Sequence, residues 1–456
     1  MESTDIASSI PSWLNLDLFD KAIQSYESDA QAKVTNFDIK SATQPGENFA
    51  SAVFRAIVKY TSKHQQDEKE LSVIIKTQPF NVDQLGSGMD HMKDTTLFKN
   101  EIAAYTEVLM KIQELISSVG YEDIMCPKLI YQTMTPKPVI MLEDVKAIGY
   151  DTLITTAHDD FEVSKMIFKR LAKFHAASFY LEDEKVCMER PRDSKQSWEW
   201  FISVMLAVST EPQLKYCTLC FVAVFVIKID AAAFDFTIFS MDSVVAIFTA
   251  NFDIFLNYIS EWEGYEEFIE PIKNFRTVYA EKCQKSTKPN TGAGAFNVLN
   301  HGDFHLKNVL YKINKEDGKI EDFVALDYQI CVYGSPAIDF AYAFFNFTSD
   351  NNRFDRYDEI LFIYHKQFVE ALKKFGYLKQ PPSLLDLQIE ILKNGHLQAT
   401  NFMHMFPLSI MDLNDFKDDE MEPGFSGMMK KAYKNENYKK ILKRNLKRFL
   451  NNGFFG

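Results

Sequence analysis

Apolar positions along this chain follow two regimes, strand-like alternation near the N-terminus and three-to-four-residue spacing over most of the rest. Residues 1–34 read as short amphipathic helices. Pro11 and Trp13 mark a helix start, and Leu14, Leu16, Leu18, Phe19 and Ile23 form one apolar face. Alternation then takes over in Ala52–Tyr60 and Leu71–Thr77, with the charged stretch Lys63–Glu70 as the turn between two strands. From Thr95 to Ile116 the spacing is helical, through Phe98, Ile102, Tyr105, Val108 and Leu109. Lys128–Tyr131 and Pro138–Leu142 read as two further strands, ending at Glu143 and Asp144.

Beyond that point the pattern is mainly helical. Helices are predicted over 161–182, 355–375 and 384–402, and a basic one closes the chain after the acidic loop Asp412–Glu422. The expectation is an α+β chain in three parts. Residues 1–34 are a helical extension, 35–142 a small lobe of sheet plus helix, and 143–456 a large helical lobe.

One stretch fits neither regime. Within 196–250 the run Cys217–Ile227 is apolar, and Lys228, Asp230, Asp235 and Asp242 break up the apolar residues after it. A spanning helix needs about 20 apolar residues, and a central charge costs roughly 2.5–3.5 kcal/mol on insertion scales. A buried helix or an insertion is therefore expected over a membrane span.

Composition narrows the function classes. A chain of 456 residues, 46% of them hydrophobic, can bury a large core. Its net charge of −13 argues against nonspecific nucleic-acid binding. The six cysteines show no regular spacing and suit a reducing compartment, Cys217-x-x-Cys220 reading as buried thiols. The acidic N-terminus, Met-Glu-Ser-Thr-Asp, lacks a basic segment followed by an apolar core, so the expected location is cytoplasmic.

The candidate chemistry lies in Val298-Leu-Asn-His-Gly-Asp-Phe-His-Leu-Lys-Asn-Val309. It sets Asp303 and Asn308 five positions apart in a polar loop between apolar flanks, and Asp327 follows the strand-like run Phe323–Leu326. This spacing suits phosphoryl transfer from a nucleotide. Asp303 would receive the proton of an acceptor hydroxyl, while Asn308 and Asp327 hold the metal that neutralises the phosphates. A turn-forming loop is the bland alternative. His301 and His305 stand four apart, but Gly302 disfavours the helix that a zinc-binding pair would need. Lys76, ending a strand and set by Glu101 on the following helix, would grip the α- and β-phosphates; Glu107 competes for the pairing.

Gly46-Glu-Asn-Phe-Ala-Ser51 occupies the place of a phosphate-covering loop, with Ser51 and backbone amides as contacts. Glu143 and Asp144 fall where a linker between lobes would offer backbone groups to adenine. Asp339, near a helix start, braces the catalytic loop together with His301, or serves the helix dipole. The basic C-terminal helix, with Tyr438, Leu442, Leu446 and Phe449 along one side, is read as packing on the protein rather than on a membrane.

These residues resemble the insect ecdysteroid-kinase-like (EcKinase) family with its CHK kinase-like domain, a relative of choline kinases and aminoglycoside phosphotransferases. The matching stretches are Gly46–Ser51, Lys76, Phe98–Ile102, Met141–Asp144, Leu171-Ala-Lys-Phe-His175, Leu299–Asn308, Leu326-Asp-Tyr-Gln329 and Pro336–Asp339. They cover roughly 35–190 and 238–405. The resemblance implies a two-lobed protein-kinase-like fold, ATP and Mg2+ as cofactors, and phosphorylation of a small-molecule hydroxyl such as that of an ecdysteroid. Residues 192–237 match no family motif and are expected to be an insertion or translated intron sequence. The rival functions are a non-catalytic ligand-binding protein of the same fold and a choline- or aminoglycoside-type kinase. No protein partner is implied.

Overall fold

The computed structural model describes residues 10–42, 51–63, 65–78, 96–153, 160–189, 241–286, 288–291, 294–411 and 425–456. The phosphate-loop candidate before Ser51, the atypical stretch 192–237 and the acidic loop 412–422 lie outside the described residues.

Helix α1 (Leu16–Glu27) starts where the Asn15 side chain accepts the Leu18 amide at 3.2 Å, and buries Leu18, Phe19, Ala22 and Ile23. It covers one face of a five-stranded antiparallel sheet built from β1 (Lys33–Ser41), β2 (Ala52–Ser62), β3 (Gln65–Thr77), β4 (Leu129–Thr133) and β5 (Val139–Glu143), in the order β1-β2-β3-β5-β4. From residues 14–34, Leu14, Leu18, Phe19, Ala22, Ile23, Ala32 and Val34 share a buried cluster with this sheet.

Two departures from the pattern have physical causes. The charged stretch 63–70 is not a loop: β3 starts at Gln65, and Lys59 pairs with Glu70 and Tyr60 with Lys69. Here the sheet runs out beyond its core, so the backbone pairs while the side chains meet solvent or each other, as Lys69 does with Glu27 at 3.1 Å. Strand β1 escapes the alternation test because its register slips between Val34 and Asn36.

Strand β5 shows how the lobes join. Val139 and Met141 point to the α1 side, whereas Ile140 and Leu142 belong to the large core. That core takes in α2 (Thr96–Ala103), a π-helical turn (Ala104–Leu109) and α3 (Met110–Ser118) through Phe98, Tyr105, Leu109, Ile112 and Ile116. The same cluster continues through α4 (Phe161–Glu189), α5 (Met241–Ser260) and α6 (Glu266–Ser286). A polar tie reinforces it. Arg170 on α4 bonds Asp123 at 3.0 Å and also Asp322 and the Phe323 carbonyl, while Lys173 pairs with Asp123.

Beneath the small lobe run β6 (Tyr150–Asp151), β7 (Val298–Asn300), β8 (Val309–Ile313), β9 (Ile320–Ala325) and β10 (Val332–Gly334). They form a β6-β8-β9 sheet and a β7-β10 ribbon. The helices that follow are α7 (Ala337–Asn346), α8 (Asp350–Asp355), α9 (Tyr357–Lys374), α10 (Leu384–Lys393) and α11 (Gly395–Thr400). A π-turn (Asn401–Met405) leads to α12 (Phe406–Ser409), then α13 (Phe425–Ala432) and α14 (Glu436–Asn451). In α14 the side chains of Tyr438, Leu442, Leu446 and Phe449 are fully buried, while Lys443, Arg444 and Lys447 lie toward solvent, so the basic helix packs on the lobe. Among the described residues no helix is long and apolar enough to cross a membrane.

Candidate active site

The β8–β9 hairpin brings the two acidic elements together. Val309 pairs with Ala325, so the residues just before β8 face those just after β9, and the Leu326 amide donates to the Asn308 carbonyl at 2.9 Å. The β7–β10 ribbon then returns the chain beneath the loop, Asn300 lying opposite Val332. Asp303, Asn308 and Asp327 are neighbours because of strand register.

The loop is held from below. Asp339, fully buried in the first turn of α7, accepts from the His301 amide at 2.6 Å, the Gly302 amide at 2.9 Å and the His175 ring at 3.2 Å. His175 in turn contacts the Tyr364 hydroxyl at 2.6 Å. Gly302 has φ +83°, and a Cβ there would sit 2.1 Å from the Ile330 carbonyl oxygen, so only glycine fits. His301 has both ring nitrogens engaged. Nδ1 accepts from the Asp303 amide at 3.3 Å and Nε2 contacts the Leu326 carbonyl at 2.8 Å, which makes it the Nε2–H tautomer.

Asn308 donates to the Asp303 carbonyl and to its Oδ2, each at 3.0 Å, leaving the amide oxygen for another partner. The Asp303 carboxyl stays below the usual carboxylate range. Burial works to raise it and is outweighed by the electrostatic pull of the His305 and His301 rings and by donation from Asn308. Asp327 has a left-handed backbone (φ 67°), accepts from Gln329 at 3.2 Å, and pairs with Lys76.

Lys76 also bonds Glu101 at 2.7 Å, and Glu107 makes no such pair. One ammonium therefore serves two carboxylates in a buried setting. Burial raises Glu101 to about 7 against the pull of Lys76, and the neighbouring Asp327 charge adds to the rise. Burial pulls Lys76 down, but Asp327 and Glu101 together leave it raised and charged. Two carboxylates thus share one ammonium, and Asp327 is the more exposed of the two. That setting favours a cation at the exposed side, where Asp327 lies.

The remaining expected residues are placed less directly. Ser51 is buried at the mouth of β2, two residues before Val53, the cross-strand partner of Lys76. The amides of Glu143 and Asp144 are already bonded to the Lys128 and Ser72 carbonyls at 2.9 and 3.2 Å. The Asp144 side chain is buried in the small lobe, bonded to Arg55 and Ser72, each at 2.7 Å, and capping the 3-10 turn Val145–Ile148.

The sequence reading gave no role to Tyr105, Tyr328 or His175. The Tyr328 ring lies 4.5 Å from that of His301 and 6.0 Å from that of Tyr105, stacking the helix, the Asp327 segment and the catalytic loop in one column. His175 and Tyr328 fell in the family-matching stretches Leu171–His175 and Leu326–Gln329 without being given a task, and Tyr105 stood only as one position of a helical stripe.

Lobes of this shape, with a Lys–Glu–Asp cluster facing an Asp–Asn loop, define a kinase-fold enzyme that phosphorylates small molecules. The chain belongs to the ecdysteroid kinase-like family, whose model matches residues 45–216 and 227–377. The match enters the atypical stretch 192–237 from both ends. Only 217–226 is left unmatched, so the departure from the family is narrower than the sequence reading made it. No curated protein matches the chain.

Among solved structures, a GDP complex of a point mutant of aminoglycoside 2'-phosphotransferase IIIa is 10% identical, with TM-score 0.36 over 94% of this chain and 98% of that one. A GDP and kanamycin complex of APH(2")-IIIa is 11% identical, with TM-score 0.33 over 94% and 99%. A thermostable mutant of APH(4)-Ia with ADP and hygromycin B is 10% identical, with TM-score 0.28 over 91% and 97%.

Proposed function

We propose that this chain transfers the γ-phosphoryl group of ATP to a hydroxyl of a lipophilic small molecule, an ecdysteroid or a similar alcohol, in the cytoplasm. The observation that carries the reading is Lys76 bridging Glu101 and Asp327 opposite an Asp303 carboxylate clamped by Asn308. The acceptor O–H gives its proton to Asp303 as its oxygen bonds the γ-phosphorus. The bridging β–γ P–O bond breaks and leaves with its electron pair on ADP. Lys76, aimed by Glu101, positions the α- and β-phosphates, and Ser51 lies beside them at the mouth of β2. The linker around Glu143 and Asp144 faces adenine.

The donor set suits Mg2+. One carboxylate (Asp327) and one amide oxygen (Asn308) supply hard oxygen ligands, and nucleotide phosphates would complete them. Among the described residues no cluster of three or more His, Cys, Asp or Glu stands ready to cage a metal alone, consistent with an ion shared with a nucleotide. When bound, Mg2+ neutralises charge on the phosphates. Cys126 and Cys331, buried and in no disulfide, support a reducing compartment.

The test is ADP release by purified protein with ATP, Mg2+ and a panel of sterols, other neutral alcohols and amines, with Asp303→Ala as control. Acceptor-dependent ADP release that Asp303→Ala removes supports the reading. Normal ATP binding without turnover on any acceptor sinks it, and turnover confined to amines overturns the acceptor class.

A further inference from the structure

Of the polar groups around Asp303, His305 has no assigned task. Its ring faces both ways in a tight turn. The Lys307 amide donates to Nδ1 at 3.1 Å, so the ring caps the 3-10 turn Leu306–Asn308 with that nitrogen. An accepting Nδ1 carries no proton, so in the neutral ring the hydrogen resides on Nε2. That nitrogen lies 3.3 Å from Asp303 Oδ2, the same oxygen that takes the Asn308 amide at 3.0 Å. Among the described residues nothing donates to Oδ1. The backbone fixes the ring further, with the His305 amide bonded to the Asp303 carbonyl at 2.9 Å and the Asn308 amide to the His305 carbonyl at 3.0 Å.

Metal binding by His301 and His305 together does not fit this arrangement, because both His301 nitrogens are already engaged, one by the Asp303 amide and one by the Leu326 carbonyl. The two rings serve different ends of the same turn. His301 ties it to Leu326, and His305 turns toward the carboxylate.

We infer that His305 is a positioning residue that fixes the Asp303 carboxylate through Oδ2 and so makes Oδ1 the oxygen that receives the acceptor's proton. The inference rests on Asp303 being the base. The physical need is orientational. A free carboxylate rotates and offers either oxygen, whereas the Asn308 amide bonded to Oδ2 and the His305 ring nitrogen 3.3 Å from the same oxygen hold the other toward the acceptor side. Unlike Asn308, His305 would do this with no duty toward a metal.

Two substitutions separate the ring's functions. His305→Asn keeps a short acceptor for the Lys307 amide but cannot reach Asp303. His305→Gln places a donor near the position of Nε2. We expect His305→Asn to keep the wild-type melting temperature and ATP KM while kcat on the best acceptor falls about 10–100-fold. His305→Gln should recover kcat to within a few-fold.

A wild-type kcat in His305→Asn overturns the inference. So does a rise in ATP KM at unchanged kcat, which would assign the ring to the phosphates. Asp303→Asn in parallel tests the reading beneath: if it retains wild-type kcat, the base assignment itself fails. Nitrogen-15 NMR of the His305 ring in the resting protein needs no turnover. A protonated Nε2 with a bare Nδ1 supports the inference, and the opposite tautomer overturns it.

Discussion

Asp339 shows how much one buried carboxylate can hold. It accepts from two consecutive amides of the catalytic loop and from His175, with no exposure to water. Replacing it with alanine leaves those donors buried and unpaired, a loss of about 1–3 kcal/mol for each group so stranded. Asp339→Ala is expected to lower unfolding free energy by on the order of 3 kcal/mol in urea titrations, with the loop's activity lost alongside. At Gly302 the constraint is steric. The Cβ of Gly302→Ala would meet a backbone carbonyl that cannot turn aside. At least about a tenfold loss of kcat/KM is expected, with a lower melting temperature by scanning calorimetry. Both residues were visible in the sequence, Gly302 inside the polar loop and Asp339 near a helix start. Their partners were not: Ile330 stands 28 positions from Gly302, and His175 stands 164 from Asp339.

Two histidines on neighbouring helical segments make stability pH-dependent. Burial pushes His396 down to about 4, where its ring contacts the Ser286 hydroxyl at 2.7 Å. Burial pushes His404 to about 3, in the π-turn between the Phe252 ring and the Tyr433 hydroxyl. Both folded values lie below the unfolded value near 6.5, so on acidification the unfolded chain takes up protons first. Their contribution is full above about pH 6.5 and falls as the pH drops toward 4 and then 3, each tenfold difference in proton affinity being worth about 1.4 kcal/mol. Melting temperature should therefore decline between pH 6.5 and 4. His404→Phe, whose ring needs no proton balance, should flatten that slope; an unchanged slope refutes its share.

The same elements mark the limits of reading periodicity. The amphipathic helices α1, α9 and α14 follow from spacing alone, because each buries one apolar stripe, α1 against the sheet and the other two against helices of the large lobe. The π-turns in Ala104–Leu109 and Asn401–Met405 interrupt a helical repeat by one residue, and the apolar spacing there does not reveal it.

Across the whole molecule, the helix that carries Glu101 belongs to the large core. Its residues pack with α4 and the Tyr328 column, and Arg170 ties the segment after α3 to β9. Arg170→Leu would leave Asp123 and Asp322 without their guanidinium; Asp123 owes its depressed carboxyl, against the effect of burial, to Arg170 and Lys173 together. Breaking a buried pair this way costs about 3–5 kcal/mol. We expect that order of loss in urea unfolding, together with a raised ATP KM as Glu101 loses its footing. Lost stability with unchanged ATP KM would show that the tie does not reach the nucleotide side.

The sequence by itself carried the pattern on which the proposed donor chemistry rests. The Asp303–Asn308 spacing, Asp327 after a strand-like run and Lys76 ending another are local patterns, and local patterns survive in one dimension. It also determined the two regimes of secondary structure, because strand alternation and helical stripes record which face of each element is buried. Glu101 as the partner of Lys76 and Asp339 as a brace were preferred from the sequence and their contacts came with the tertiary structure, whereas Asp144 bracing Arg55 was visible only there. Those contacts depend on hairpin register and on one core shared by both lobes, and contacts between residues far apart in the chain leave no periodic trace in it.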